Sequence, residues 1–305
     1  MSTSTESFTL WQLPSQSFAT KLPRAANFPP PNNQMNSYVL RTAHGHLIAI
    51  DGGFTEDAAY LKGFLGALGN RVIAWFITHQ HSDHIDALTE ILKIPGDLQI
   101  DHIYGSLNTA AWVEDNEPDS VENTIQFNAA LVAAGREVTE LELGQELVFD
   151  GVYFDVLGIK NPEITDNAIN NSSVVMRVHD ENRSILFPAD LGVEAGRKLL
   201  AGPYASRLES DIIQMAHHGQ HGAERKFYEV VGARCCIWPT PLWLWDNNSG
   251  EGKGSGPWQT LEVRSWMEEL GVEQHYYLFN GLQEIRQEAI AISKSSVYDN
   301  DNRRE

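Results

Sequence analysis

One stretch of the chain, residues 73–86, decides the fold, and it reads IAWFITHQHSDHID. Its first five residues are apolar and either β-branched or aromatic in the main, a composition typical of a buried strand. The polar segment that follows holds His79, His81, Asp83 and His84. This abrupt change from an apolar strand to a loop of imidazoles and a carboxylate predicts a metal site at the end of the strand.

The spacing of these four residues suits metal binding. His79 and His81 are two residues apart, so in an extended segment their imidazoles point the same way and can bind one ion. A turn at Asp83 and His84 would direct a carboxylate and a further nitrogen towards a second ion. Nitrogen and oxygen donors without thiolate suit one or two Zn²⁺ ions, with Mn²⁺ or iron as alternatives. The competing interpretation is a histidine-rich surface loop, which three histidines and an aspartate in this register disfavour.

Residues 78–84, THQHSDH, resemble the HxHxDH motif of the metallo-β-lactamase fold superfamily. Members of that superfamily carry a one- or two-metal hydrolytic site between two sheets. The resemblance therefore implies an α/β (α+β) protein built as a four-layer αββα sandwich, and the predicted alternation of strands and helices agrees with it. It also implies that Asp51, in an Asp-Gly-Gly segment after a predicted strand, orients a metal ligand from behind.

The second half of the chain supplies the other ligands that the resemblance implies. A predicted strand over residues 184–189 ends at Asp190, the carboxylate that bridges the two metals in the superfamily. Another apolar strand ends in His217 and His218. The resemblance implies that His217 completes the second metal site and that His218 binds a substrate oxyanion or donates a proton. We interpret His221, just beyond, as a loop residue at the rim.

The first metal site departs from the superfamily pattern. Many members place a third histidine between the HxHxDH loop and the bridging aspartate, and here only His102 and His179 lie in that interval. We predict that both are structural, since His102 has no partner at ligand spacing and His179 lies in a turn. The donors expected for the first metal are His79, His81, Asp190 and water, with Asn170 or Asn171 nearby.

Three segments narrow the resemblance to one branch. Residues 170–175 (NNSSVV), 186–190 (LFPAD) and 215–219 (MAHHG) are similar to the hydrolase domain of ComEC-like competence DNA-uptake proteins. Because that domain is assigned a nuclease role, the resemblance implies that a metal-bound hydroxide attacks a phosphodiester, with Asp83 or His218 handling protons. A lactone, thioester or amide hydrolase remains an alternative, because fold and metal site do not fix the substrate. A non-catalytic metal-binding protein is the competing class.

Composition limits the partners and the location. The chain has 305 residues and a formal net charge of −19, which argues against a surface for extended nucleic acid and favours a small-molecule or nucleotide-type ester substrate. The start of the chain lacks the features of a secretory signal, and no stretch reaches the length of a membrane span. We therefore expect a cytoplasmic protein without membrane contact. Adjacent Cys235 and Cys236 are expected to be buried and reduced.

The domain boundaries follow from the same patterns. We predict an irregular N-terminal segment over residues 1–35, one hydrolase domain over 36–293 and a polar tail over 294–305. The acidic stretch 114–122 is interpreted as a solvated loop. The tryptophans of the Pro-flanked loop, Trp243 and Trp245, are expected to serve core packing, with a place in the substrate pocket as the alternative.

Overall fold

We describe the fold from a computed structural model that covers residues 8–19, 32–220 and 222–285. The prediction for His221, the predicted tail and most of the predicted N-terminal segment lie outside the described residues. Among the described residues no helix is both long and apolar enough to span a bilayer.

The described chain forms 15 strands and eight α-helices. The strands are β1 (Thr9–Gln12), β2 (Ser37–Arg41), β3 (Leu47–Asp51), β4 (Arg71–Ile77), β5 (Gln99–Ile100), β6 (Ile103–Gly105), β7 (Val138–Glu140), β8 (Glu146–Phe149), β9 (Val152–Gly158), β10 (Val175–His179), β11 (Ser184–Phe187), β12 (Ile212–Gln214), β13 (Cys235–Trp238), β14 (Gln274–Tyr277) and β15 (Gln283–Ile285). The helices are α1 (Ala58–Leu68), α2 (Ser82–Lys93), α3 (Ala110–Asn116), α4 (Val121–Ala133), α5 (Val193–Ala201), α6 (Arg225–Val231), α7 (Leu242–Trp245) and α8 (Thr260–Glu269).

The strands assemble into two mixed sheets. The first has the order β15-β1-β2-β3-β4-β6-β7, with β5 also paired to β4, and the second has the order β14-β13-β12-β11-β10-β9-β8. In the first sheet β3, β4, β6 and β7 run parallel, and in the second β11 to β14 do so. The segments that follow β4, β11 and β12 meet at one edge of the sandwich, as the contacts among Asp83, Asp190 and His218 show.

Apolar side chains separate the layers. Between the sheets, Phe76 of β4 stacks on Phe154 of β9 with ring centroids 4.9 Å apart. On the outer face of the first sheet pack α1, α2 and α4, and on the outer face of the second pack α5, α6 and α8. Burial of each such aromatic or aliphatic side chain contributes roughly 1.5–3 kcal/mol. The prediction of a four-layer αββα sandwich is confirmed.

Two local predictions are corrected. Residues 9–12 form β1, which pairs with β2 and β15, so the prediction of irregular structure is wrong there. Leu10 packs in the core between the two sheets, and Trp11 packs in the core between the first sheet and its helices. The strand therefore lacks the alternation of apolar and polar residues that marks a half-buried strand. Helix α2 begins at Ser82, so Asp83 and His84 lie in its first turn and not in a loop.

Candidate metal centre

Asp51 holds His84 from behind, as predicted. The residue ends β3 in a left-handed conformation with φ of 55°, and its buried carboxylate accepts hydrogen bonds from the N–H and Oγ1 of Thr78 at 2.9 and 2.7 Å. Its Oδ2 lies 2.8 Å from Nδ1 of His84. Because a carboxylate only accepts, Nδ1 carries the proton, and Nε2 of His84 is the nitrogen left for a metal.

Four buried side chains converge at the edge of the sandwich. Asp83, His84, Asp190 and His218 each offer a ligand atom, and these atoms all lie within 4.8 Å of one another. Nε2 of His218 is 2.9 Å from Oδ2 of Asp83 and 3.0 Å from Oδ2 of Asp190, which is also 3.4 Å from Nε2 of His84. We call these four residues the His/Asp cluster. Two imidazole nitrogens and two carboxylates at this spacing can hold a divalent cation.

His218 is oriented in the same way as His84. Its Nδ1 donates to the carbonyl oxygen of Pro239 at 3.0 Å, and Thr240 Oγ1 donates to the carbonyl of His218 at 2.6 Å. Burial lowers the pKa of His218, but the carboxylates of Asp190 and Asp83 outweigh it and raise the pKa to about 9. A proton on this ring therefore balances the carboxylates, and a cation can take its place.

The other members of the His/Asp cluster show the same balance. Burial disfavours the charged form of His84, yet Asp51, Asp190 and Asp83 raise its pKa well above the usual value. Burial also opposes ionisation of Asp190, but His218 and His84 hold the pKa of that carboxyl well below its usual range. The cluster thus favours ionised carboxylates with positive charge between them.

The structure corrects the roles predicted for the paired histidines. His218, and not His217, joins the His/Asp cluster. His217 and His218 both have left-handed backbone, with φ of 48° and 55°, so their rings diverge, with centroids 6.0 Å apart and planes at 52°. Nε2 of His217 lies 3.3 Å from Nδ2 of Asn170. The prediction treated the pair as the end of an extended strand, and consecutive left-handed residues redirect both side chains.

His79 and His81 form a second set of donors, here called the first-site pair. Nε2 of His79 and Nδ1 of His81 lie 3.1 Å apart, close to the ~3.3 Å expected between two nitrogens on one tetrahedral Zn²⁺. Burial lowers the pKa of His79 well below its usual value, which favours the neutral ring that binds metal. The geometry fits the predicted first site, and its occupancy by an ion stays a prediction.

Two residues at the site were missed by sequence reasoning. Asn36 donates from Nδ2 to Oδ1 of Asp190 at 2.9 Å and accepts from the hydroxyl of Tyr38 at 3.0 Å, so it orients the carboxylate predicted to bridge. Glu117 lies 2.5 Å from Nε2 of His81. Residues 114–116 belong to α3 and residues 121–122 to α4, and Glu117 contacts His81, so the interpretation of 114–122 as a solvated loop is wrong. Neither residue has a spacing pattern that could have identified it.

The remaining candidates are structural. His179 contacts Asp155 at 3.2 Å and stacks on Tyr153, away from the His/Asp cluster, as predicted. Asn171 accepts from the N–H of Ala195 at the start of α5. Trp243 and Trp245 lie in α7 and not in a loop as predicted. Both make packing contacts, Trp245 with Trp238, Tyr277 and Phe279, and Trp243 with Trp258.

Comparison with known proteins agrees with this geometry. The family model described as the Metallo-beta-lactamase superfamily matches residues 31–229, which include the first-site pair and the whole His/Asp cluster. The chain belongs to the Metallo-beta-lactamase superfamily. This membership, together with the cluster, supports a metal-dependent hydrolase in general terms.

A curated relative carries the likeness to competence proteins. The chain is 25% identical over 186 residues to Competence protein ComA of Neisseria gonorrhoeae. The match covers 61% of this chain and 22% of that protein, so the chain spans about a fifth of the relative's length. This similarity supports the ComEC-like resemblance seen in the motifs.

Solved structures share the fold at low identity. The metallo-beta-lactamase fold protein YhfI from Bacillus subtilis matches with a TM-score of 0.52 and 13% identity, covering 91% of this chain and 100% of that one. CmlA, a diiron beta-hydroxylase from Streptomyces venezuelae, matches with a TM-score of 0.52 and 13% identity, covering 92% of this chain and 54% of that one. These likenesses establish the architecture alone.

Proposed function

We propose that this protein is a metal-dependent hydrolase that cleaves a phosphodiester bond in a small, nucleotide-type substrate. The observation that carries the proposal is the His/Asp cluster, in which His84 and His218 are each fixed from behind by a protein acceptor and turn Nε2 towards carboxylates. Imidazoles held in this way are typical of metal sites, in which an outer acceptor fixes the tautomer.

The donor set fits Zn²⁺, Mn²⁺ or iron. All donors are nitrogen or oxygen, and the two cysteines are buried in β13, where burial raises the pKa of both thiols. Asp83, His84 and His218 would hold one ion, His79 and His81 the other, and Asp190 would lie between them. When bound, such ions would lower the pKa of a coordinated water to ~7, and their positive charge would stabilise the developing oxyanion.

The protein's own charge favours a small substrate. Carboxylates of Asp83, Asp190 and Glu117 surround the site, so an anionic group can approach only when cations are bound. The chain as a whole has a formal net charge of −19, which repels a long polyphosphate more than a short ester. The proposal of a phosphodiester rests on the ComEC-like motifs and on the likeness to ComA.

The test combines metal content with turnover. We would measure metal per chain and hydrolysis of bis(p-nitrophenyl) phosphate after loading with Zn²⁺, Mn²⁺ or Fe²⁺. The variants are Asp190→Ala and, as a matched control, Asp97→Ala in an exposed loop. We expect about two ions in the wild type and a loss of turnover of at least ~100-fold in Asp190→Ala only.

Three other outcomes would contradict parts of the proposal. Turnover of a lactone, a thioester or an amide without phosphodiesterase activity would keep the hydrolase and replace the substrate class. Bound metal without turnover of any of these substrates would favour a metal-binding protein. Equal losses in both variants would show that the activity does not belong to this site.

A further inference from the structure

Glu117 lies against the first-site pair from the side opposite His79. It follows α3 directly, and its side chain is 27% exposed. Oε1 is 2.5 Å from Nε2 of His81, and Oε2 accepts a hydrogen bond from the N–H of Ile169 at 3.0 Å. Both oxygens of the carboxylate are therefore committed, one to a predicted metal ligand and one to the backbone of a neighbouring loop.

This contact decides which nitrogen of His81 carries a proton. An ionised carboxylate offers only lone pairs, so a separation of 2.5 Å requires a proton on Nε2. A neutral imidazole has one proton, and the lone pair is then on Nδ1. Nδ1 is the atom that lies 3.1 Å from Nε2 of His79. Glu117 thus leaves His81 with its free lone pair turned towards its partner in the first-site pair.

We propose that Glu117 is a positioning residue for a metal ion held by His79 and His81, and that it acts through His81 without binding the ion. The two ring nitrogens point in different directions, so a carboxylate on Nε2 cannot reach an ion on Nδ1. The inference rests on the proposed function, because it requires an ion at the first-site pair.

The pair of contacts makes Glu117→Gln a sharp test. Glutamine has nearly the same shape but offers one acceptor and one donor. The N–H of Ile169 cannot change its role, so an amide that satisfies it turns an NH₂ group towards Nε2 of His81. The His81 ring is then free to place its proton on Nδ1, where it competes with the metal. The matched control is Glu114→Gln on the exposed face of α3, which removes the same charge.

The experiment titrates the metal-free full-length chain with Zn²⁺ by calorimetry. We expect two binding steps in the wild type and in Glu114→Gln. Glu117→Gln should weaken one step by about 10–100-fold and leave the other unchanged. His81→Ala should weaken the same step, and adding Glu117→Gln to His81→Ala should change nothing further. Long-range ¹H–¹⁵N spectra of the metal-free protein should show His81 protonated on Nε2, and a tautomer mixture in Glu117→Gln.

Several results would overturn the inference. Suppose the wild type shows two binding steps and the Zn²⁺ affinities of Glu117→Gln are within twofold of the wild type at both. This result would refute the positioning role of Glu117 and leave the proposed hydrolase function untouched. A further loss in the His81→Ala background would show that Glu117 acts by another route. A single binding step in the wild type that is lost in Asp190→Ala but kept in His81→Ala would show that no ion binds the first-site pair. It would refute the inference and be consistent with a one-metal enzyme. No wild-type binding at all would refute the inference and the proposed function together.

Discussion

Replacement of Asp51 by asparagine should disable the His/Asp cluster while leaving the fold in place. Asparagine tolerates the left-handed backbone of residue 51, where φ is 55°. Its single carbonyl oxygen can still accept from Thr78, but the amide then presents N–H groups to Nδ1 of His84. The ring can answer only by moving its proton to Nε2, and that nitrogen faces Asp190 at 3.4 Å. A protonated Nε2 cannot bind metal.

The size of the effect follows from this loss of the correct tautomer. Removing an outer partner of a metal ligand typically costs 10–100-fold in metal affinity, or about 1.4–2.8 kcal/mol. Because the His84 side chain is fully buried, we expect the upper half of this range. The affinity of the first-site pair should change less, since Asp51 reaches it through Thr78, whose Oγ1 lies 3.1 Å from Nδ1 of His79.

The assay is Zn²⁺ competition between the metal-free protein and a chromophoric chelator. Asp97→Asn, in an exposed loop, is the charge-matched control, and circular dichroism checks that both variants are folded. A folded Asp51→Asn protein that binds Zn²⁺ within twofold of the wild type would refute the tautomer argument. Weakened Zn²⁺ binding in an Asp51→Ala variant but not in Asp51→Asn would also refute it.

Three further predictions concern stability and reactivity. Burial raises the pKa of Asp86 to about 6, so the folded state keeps a proton that the unfolded state loses near ~4, and stability falls as the pH rises through that window. Asp86→Asn keeps the hydrogen bond from Asn123. With a discount for partial exposure, it should stabilise the metal-free protein by about 1 kcal/mol at pH 7.5 and leave its stability unchanged at pH 4. Equal urea midpoints for the variant and the wild type at pH 7.5 would contradict this. Gly219 has φ of 74°, and a Cβ there would lie 2.6 Å from the Trp238 ring. Gly219→Ala should therefore lower the free energy of unfolding, measured in urea, by roughly 1–3 kcal/mol. An unchanged urea midpoint would count against this prediction. Cys235 and Cys236 should react with a thiol reagent only after unfolding, because burial raises the pKa of both thiols; rapid labelling of the native protein would be inconsistent with that burial.

The local parts of the site could be predicted from the sequence because strand, turn and ligands are adjacent in the chain. The segment 73–86 contains most of β4, the first-site pair and half of the His/Asp cluster. Asp190 was identified by the same logic of a ligand that follows a buried strand. In each case the change from an apolar run to polar residues indicates where the chain leaves the core.

The rest depended on contacts between distant segments. Asn36 meets Asp190 across 154 positions, and Glu117 meets His81 across 36, and no periodicity encodes either contact. The choice between His217 and His218 as the ligand was predicted wrongly for a different reason. Their direction depends on two left-handed backbone conformations of non-glycine residues, which propensity does not favour.

The His/Asp cluster draws Asp83 from the first sheet's side of the sandwich and Asp190 and His218 from the second. An ion held there would act as a removable cross-link between the two halves of the chain. Because such an ion would bind the folded chain and not the unfolded one, it would stabilise the fold by about 4 kcal/mol at a free concentration roughly 1,000 times its Kd. A chelator should therefore lower the free energy of unfolding of this protein, as a reductant does for a secreted protein that depends on its disulfides.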